Sequence, residues 1–237
     1  MDKLYIVLPA YNEEDNIQQV IDQWYPVVEK IGEDSRLVIV NDGSRDNTYA
    51  VMQECGKTRP QFIPVTKPNG GHGATLLFAY QYALEQGADY VFQTDSDGQT
   101  LPEEFWQFWE KREEYDIQIG HRNRRQDGIS RVFVTKVLKA VVRICFGVNS
   151  ADVNTPFRLM SAQTLAEKIR QIPKDFNLSN VLLSVLYERG HARIRYVPIT
   201  FRPRQGGVNS INLRRIFRIG VQAVKDFKEI NRSLSSN

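Results

Sequence analysis

The chain has 237 residues, 41% of them hydrophobic and 25% charged, and a formal net charge of +3 at pH 7. That is ample material for the core of one large α/β domain, and the near-balanced charge gives no reason to expect a nucleic-acid partner. No stretch approaches the about 18 apolar residues of a membrane span, and the opening MDKLYIVLPAYNEE turns polar too early for a secretory leader. Cys55 and Cys145 sit in apolar helical contexts without metal-ligand spacing and read as reduced thiols, so a cytoplasmic location is expected.

Apolar runs rich in β-branched residues predict strands at 4–10, 37–43, 62–66, 90–95 and 116–120. Helical patterns lie between most of them. Ile17, Val20, Ile21 and Trp24 mark one face of the first helix; Thr48, Val51 and Met52 mark the second; Leu76, Leu77, Tyr80 and Leu84 mark the third. In TLPEEFW, Thr100 and Glu103 have the spacing of a capping box, with Pro102 in the first turn. Strands alternating with helices imply a mostly parallel, Rossmann-like sheet flanked by helices. After residue 120 the alternation lapses. A basic helix over about 130–147 is followed by FRLMS, helices near 161–171 and 177–190, a strand over 194–201, the segment RPRQGGVNSIN and a last helix from about 212. The expected organisation is one domain over 1–230, with a nucleotide-binding half (1–120), a second half (121–230) of C-terminal helices that completes the site, and a flexible tail at 231–237.

Ligands of parallel α/β sheets bind at the carboxyl ends of the strands. PAYNEE, NDGSRDNT and TDSDGQ all fall at that edge, after the first, second and fourth strands. A lone aspartate there would read as a solvated loop acid, but convergence of the clusters points to one shared site. Asp95 and Asp97 are two residues apart. In extended backbone their side chains would point the same way, roughly 6.5–7 Å apart. Hard carboxylate oxygens suit Mg²⁺ or Mn²⁺, which take one or two protein carboxylates together with substrate phosphates. Gln99 could add a carbonyl oxygen. KPNGGHGATL lacks the Lys-Ser/Thr of a P-loop and reads as a tight turn feeding a helix N-terminus whose amides face the site. His72 in that turn reads as a donor contact or a solvated loop histidine.

VLPAYNEE, VIVNDGSRDNT, KPNGGHGATLLFAYQYALEQGADYVFQTDSDGQ, GHRNR, DVNTPFRLM and RPRQGGVNS, in that order, resemble the motif series of family 2 glycosyltransferases with the GT-A fold. The resemblance is to the dolichyl-phosphate mannosyltransferase-like and bacterial polyprenyl-phosphate group and covers roughly residues 3–212. It implies that Pro9, Tyr11, Glu13 and Asp42 hold the nucleoside of a UDP- or GDP-linked sugar. Asp95 would lie near the diphosphate and Asp97 and Gln99 on the metal. Arg122 would face phosphate, with Arg131 a further candidate, and Arg204 and Ser210 would close over donor or acceptor phosphate. Asn41 departs from the second aspartate of many relatives, which leaves Asp42 as the charged member of the pair.

An acceptor hydroxyl needs a general base, yet PKDFNLSN offers only Asp175 where many hydroxyl-using relatives carry an acid pair. A polyprenyl phosphate needs cations instead. Lys136, Lys139 and Arg143 form one helical stripe opposite Val134, Val137, Leu138, Val141 and Cys145. The last helix sets Arg214, Arg215 and Arg218 around Leu213, Phe217, Val221 and Val224. Such helices fit either a membrane interface or the protein's own core. The sequence therefore predicts a metal-dependent, inverting glycosyltransferase acting on a polyprenyl phosphate, peripheral at the inner membrane face. The alternatives are a saccharide-hydroxyl acceptor, with Asp175 or Asp152 as base, and a non-catalytic module binding nucleotide sugar or lipid.

Overall fold

A computed structural model describes residues 2–122, 129–148, 154–202, 226–227 and 231, with side chains for all of these except 122 and 129–137. In chain order the elements are β1 (Leu4–Ala10), α1 (Ile17–Ile31), β2 (Arg36–Asp42), α2 (Thr48–Gly56), β3 (Phe62–Lys67), α3 (His72–Glu85) and β4 (Tyr90–Gln93). A 3₁₀ turn (Pro102–Phe105) then leads through α4 (Trp106–Trp109) to β5 (Ile117–Arg122), α5 (Ile129–Phe146), β6 (Arg158–Ser161), α6 (Ala162–Ile169), α7 (Ser179–Arg189) and β7 (Ile194–Ile199).

Among the described residues the sheet runs β3-β2-β1-β4-β6-β5-β7. β1 pairs in parallel with β2 and β4, β2 with β3, and β5 with β7; β6 alone is antiparallel, wedged between β4 and β5. The strands are near-continuously apolar because both faces are covered. Tyr5, Val7, Val38, Val40, Val91 and Met160 pack under α3, α5, α6 and α7. Leu4, Ile6, Leu8, Leu37, Ile39 and Phe92 pack under α1 and α2. The stripe Ile17, Val20, Ile21 and Trp24 is buried as its spacing predicts. Trp24 reaches Phe92 at 5.4 Å between ring centroids, and Phe157 meets Phe92 edge-on at 4.7 Å. Aromatic pairs of this kind add about 0.5–1.5 kcal/mol each beyond area burial, and these anchor the strand that leads into Asp95 and Asp97.

Two sequence expectations change here. The capping box does not form: the Thr100 hydroxyl lies 2.7 Å from that of Thr94, no side chain caps the turn that follows, and Leu101 occupies the cap position. A partner six residues upstream has outcompeted the one three residues downstream. The basic helix forms at its expected place, but within its described part Val142 and Phe146 are buried in the core, and Leu138, Val141 and Cys145 pack against it. The choice between bilayer and core is thereby decided for that side, and Arg143 stays exposed. Arg204, Ser210, Asp152 and residues 212–225 of the last helix lie outside the described residues, as do the side chains of Arg122, Arg131 and Lys136; further along that helix, Phe227 is buried against Phe146 and Phe176.

Candidate active site

β1, β2 and β4 end side by side, and their following loops are tied together. In the first loop the Asn12 amide donates to Ser44 Oγ (2.9 Å), the Glu13 amide to Thr48 Oγ1 (2.8 Å), and Asn12 Oδ1 accepts from the Arg45 amide (2.9 Å). Glu14 Oε2 accepts from the Asn47 amide (3.0 Å). PAYNEE and NDGSRDNT are thus one cross-linked unit. Ser96 Oγ in turn donates to the Pro9 carbonyl (2.8 Å), which fixes the acid loop against the end of β1.

Asp42 closes β2 and stands in register with Lys67 at the end of β3. Its Oδ1 accepts from Lys67 Nζ (2.5 Å) and the Gly70 amide (2.8 Å), and its Oδ2 from the Gly71 amide (2.9 Å). Burial pushes the carboxyl pKa up, but the Lys67 ammonium and the glycine amide outweigh it and hold it below the ordinary value. The glycine turn was expected to offer its amides to a ligand. Instead Gly70 and Gly71 give theirs to Asp42, and the carboxylate sets the turn that opens α3. Gly73, one residue inside α3, has no room for a side chain: a Cβ there would stand 2.1 Å from the Phe176 carbonyl oxygen. The N-terminus of α3 is therefore pressed against the loop that precedes α7.

The acid loop is bent rather than extended. β4 ends at Gln93, the Thr94–Thr100 hydroxyl pair closes the loop across its base, and Gly98 adopts φ 69°. The alternation argument for Asp95 and Asp97 thus rested on the wrong backbone, although both side chains do reach one cavity. The Gln99 side-chain amide donates to the Arg202 carbonyl (2.8 Å), and the Arg202 amide donates back to the Gln99 carbonyl (2.8 Å). Gln99 is buried and does not line the cavity.

That cavity, about 510 Å³, is lined by Pro9, Tyr11, Glu13, Asp42, Asp95 and Asp97, all singled out in the sequence, together with Ala10, Asn69, Gly71, His72, Thr75 and Ser96. Asn69, which donates to the Asp42 carbonyl at 2.8 Å, and Thr75 were not foreseen. Their only signal was membership of the turn after β3 and the helix behind it. Asp175 is exposed in the loop before α7. Among the described residues no three His, Cys, Asp or Glu side chains cluster as a metal cage. A site of one or two carboxylates, completed by ligand phosphates, matches the oxygen donors that are present.

Such a sheet, with acidic loops converging at its parallel edge, defines the chain as a GT-A-type α/β protein. Its backbone superposes on glucosyl-3-phosphoglycerate synthase from Mycobacterium tuberculosis solved with phosphoglyceric acid, with TM-score 0.67, 22% identity, and coverage of 97% of this chain and 80% of that one. The same enzyme solved with Mn²⁺ and UDP-glucose gives TM-score 0.65, 21% identity, and coverage of 94% and 77%. The glycosyl transferase family 2 profile matches residues 5–171, and the chain belongs to that family. It is 26% identical over 168 residues to the undecaprenyl-phosphate 4-deoxy-4-formamido-L-arabinose transferase of Pectobacterium atrosepticum, covering 70% of this chain and 50% of that protein. It is 29% identical over 179 residues to an uncharacterised glycosyltransferase of Synechocystis, covering 73% and 54%. The chain thus spans about half the length of the curated relatives it matches.

Proposed function

We propose that the chain is a metal-dependent, inverting glycosyltransferase that moves a sugar from a nucleotide diphosphate to a polyprenyl phosphate. The observation that carries this reading is the cavity in which the nucleoside-side residues Pro9, Tyr11, Glu13 and Asp42 face the same space as Asp95 and Asp97. Asp97, with Asp95 beside it, would hold Mg²⁺ or Mn²⁺, and Gln99, through its bonds to Arg202, would keep the acid loop in place. A divalent cation bound there offsets the charge that builds on the leaving diphosphate. The chain's own contribution is positioning: Asp42 sets the glycine turn, Ser96 pins the acid loop to β1, and the first turn of α3 presents its N-terminal end to anionic ligand groups. The solved relative with Mn²⁺ and UDP-glucose supports the metal and a uridine donor. A thermal-shift panel of UDP-, GDP- and dTDP-sugars with and without Mn²⁺ tests both. A donor at about 100-fold above its Kd should stabilise the fold by roughly 2.7 kcal/mol, and it should do so only with the metal present. A flat panel overturns the reading.

The phosphate acceptor rests on the undecaprenyl-phosphate transferases among the relatives and on α5. With the described apolar side of that helix turned to the core, what its other side offers a membrane is the charge of exposed Arg143 and one apolar side chain, Ile144, which is 81% exposed. Replacing Lys136, Lys139 and Arg143 with Gln should weaken binding to anionic vesicles by about 3 kcal/mol, at about 1 kcal/mol per cation. It should slow transfer to polyprenyl phosphate and leave donor hydrolysis by water unchanged. Vesicle sedimentation beside turnover measures this, and wild-type sedimentation of the triple variant removes the lipid acceptor. One observation favours a saccharide hydroxyl instead: the Phe176–Asn177 loop abuts Gly71 and Gly73, so Asp175 belongs to a loop that reaches the cavity rim. Loss of turnover in Asp175→Asn, with simple sugars outperforming prenyl phosphate in the wild type, would establish that reading.

A further inference from the structure

Arg158 is fully buried, at 0% exposure, in the middle of the sheet. It opens β6, in register with Gln93 on β4 and Ile119 on β5. Alternation places it with Met160 on the side covered by α3 and α7, the side that Val91 and Gln93 of β4 also face. Its Nε donates to the Thr155 carbonyl (2.7 Å), and its Nη1 to the Asn180 carbonyl (2.9 Å) and Ser184 Oγ (3.0 Å). Next to it the Tyr80 hydroxyl donates to Gln93 Oε1 (2.5 Å) and lies 3.3 Å from Asn180 Oδ1. Among the described residues, Gln93 Nε2 is buried with no hydrogen-bond partner. A buried guanidinium is poor value for stability, since a well-packed apolar side chain of similar volume often does as well or better. Its retention in the sheet centre calls for another reason, and its position supplies one. Gln93 is the last residue of β4, and Asp95 is two residues further on. Burial raises the pKa of Tyr80, which bonds to Gln93; the Arg158 charge pulls it back and Asp95 pushes it up.

We infer that Arg158 is a positioning residue of the donor site, a fixed buried cation behind the end of β4 that, through the Tyr80–Gln93–Asn180 network, holds the acid loop in the conformation that presents Asp95 and Asp97 to the cavity. The inference rests on the nucleotide-sugar reading for its consequence in turnover, but not for the conformation itself. Arg158→Met keeps the volume and removes the charge, whereas Arg158→Lys keeps the charge. Hydrogen exchange on the ligand-free full chain should show Arg158→Met opening the peptide over 93–100 by about tenfold, with β1 and β2 as protected as in the wild type. Arg158→Lys should restore most of that protection. Mn²⁺-dependent UDP-glucose binding and kcat should fall about 10–100-fold in Arg158→Met, as for residues that orient metal ligands from behind, and Arg158→Lys should recover a large share. A lowered melting temperature with unchanged exchange at 93–100 overturns the inference, as does equal behaviour of Met and Lys. Should Arg158→Met fail to fold, Tyr80→Phe and Ser184→Ala each remove one hydroxyl from the network. The same local opening, smaller, is then expected, and its absence overturns the inference. A wild type that binds no nucleotide sugar ends the functional reading, while the exchange result still decides the role of Arg158.

Discussion

Asp97→Asn should reduce transfer by on the order of 10²–10³-fold, the usual cost of removing a principal charge stabiliser, while the melting temperature stays near that of the wild type. Asp97 lines the cavity on the bent loop, where its Oδ1 accepts from the Gln99 backbone amide at 3.2 Å. Asparagine keeps an oxygen for that bond and removes the charge. Turnover and thermal melts on the same preparation separate the outcomes. Wild-type turnover in Mn²⁺ would take Asp97 out of the metal site, and a collapsed melt would make it structural.

Asp42→Ala should behave differently, losing both nucleotide affinity and stability. The side chains of Lys67 and Asp42 are only 14% and 5% exposed, so alanine leaves a largely buried ammonium bonded to the Pro68 carbonyl but without its counter-charge, and deprives two glycine amides of their acceptor. Breaking such a pair costs about 3 kcal/mol or more, or on the order of 6–12 °C in a chain of this length. Asn41→Ala, which removes two neutral bonds, one to Thr66 Oγ1 at 2.9 Å and one from the Ser44 amide at 3.3 Å, should cost less on both counts. The pH dependence has a definite sign. The folded pKa of Asp42 is depressed, so its stabilisation is complete above the ordinary value of 3.8 and is lost as pH falls through the lower folded value. The stability gap between wild type and Asp42→Asn should therefore narrow in acid below that range. Calorimetric titration with UDP and acid melts check the two halves, and equal losses for Asp42→Ala and Asn41→Ala would overturn the assignment.

The sites of β1, β2 and β4 were legible because an apolar run ending in a polar cluster is a one-dimensional signature of a buried parallel strand. The stripe of α1 was legible for the same reason: its partner is the sheet itself. What escaped was everything decided by distant partners. β6 is four residues long and begins with an arginine, and nothing local marks it as a strand until β4 and β5 bracket it. Thr100 reads as a cap unless Thr94 is known to face it. The role of Asp42 as the clamp of the glycine turn depends on Lys67, 25 residues away, meeting it across two strands. Asp95 and Asp97 were found by residue type and place, not by the geometry argued for them.

The paired bonds between Gln99 and Arg202 bear on how the protein can be rebuilt. Both bonds end on the main chain at position 202, so that residue's side chain is free to vary while its peptide groups are not. A chimera that exchanges everything after β7 for the corresponding stretch of a relative would need glutamine at 99 and an unbroken backbone path at 202, and it would also have to keep an aromatic ring at 227 against Phe146 and Phe176 and a partner at 231 for Arg189. At position 202 itself, the junction is a socket defined by the polypeptide rather than by a side chain.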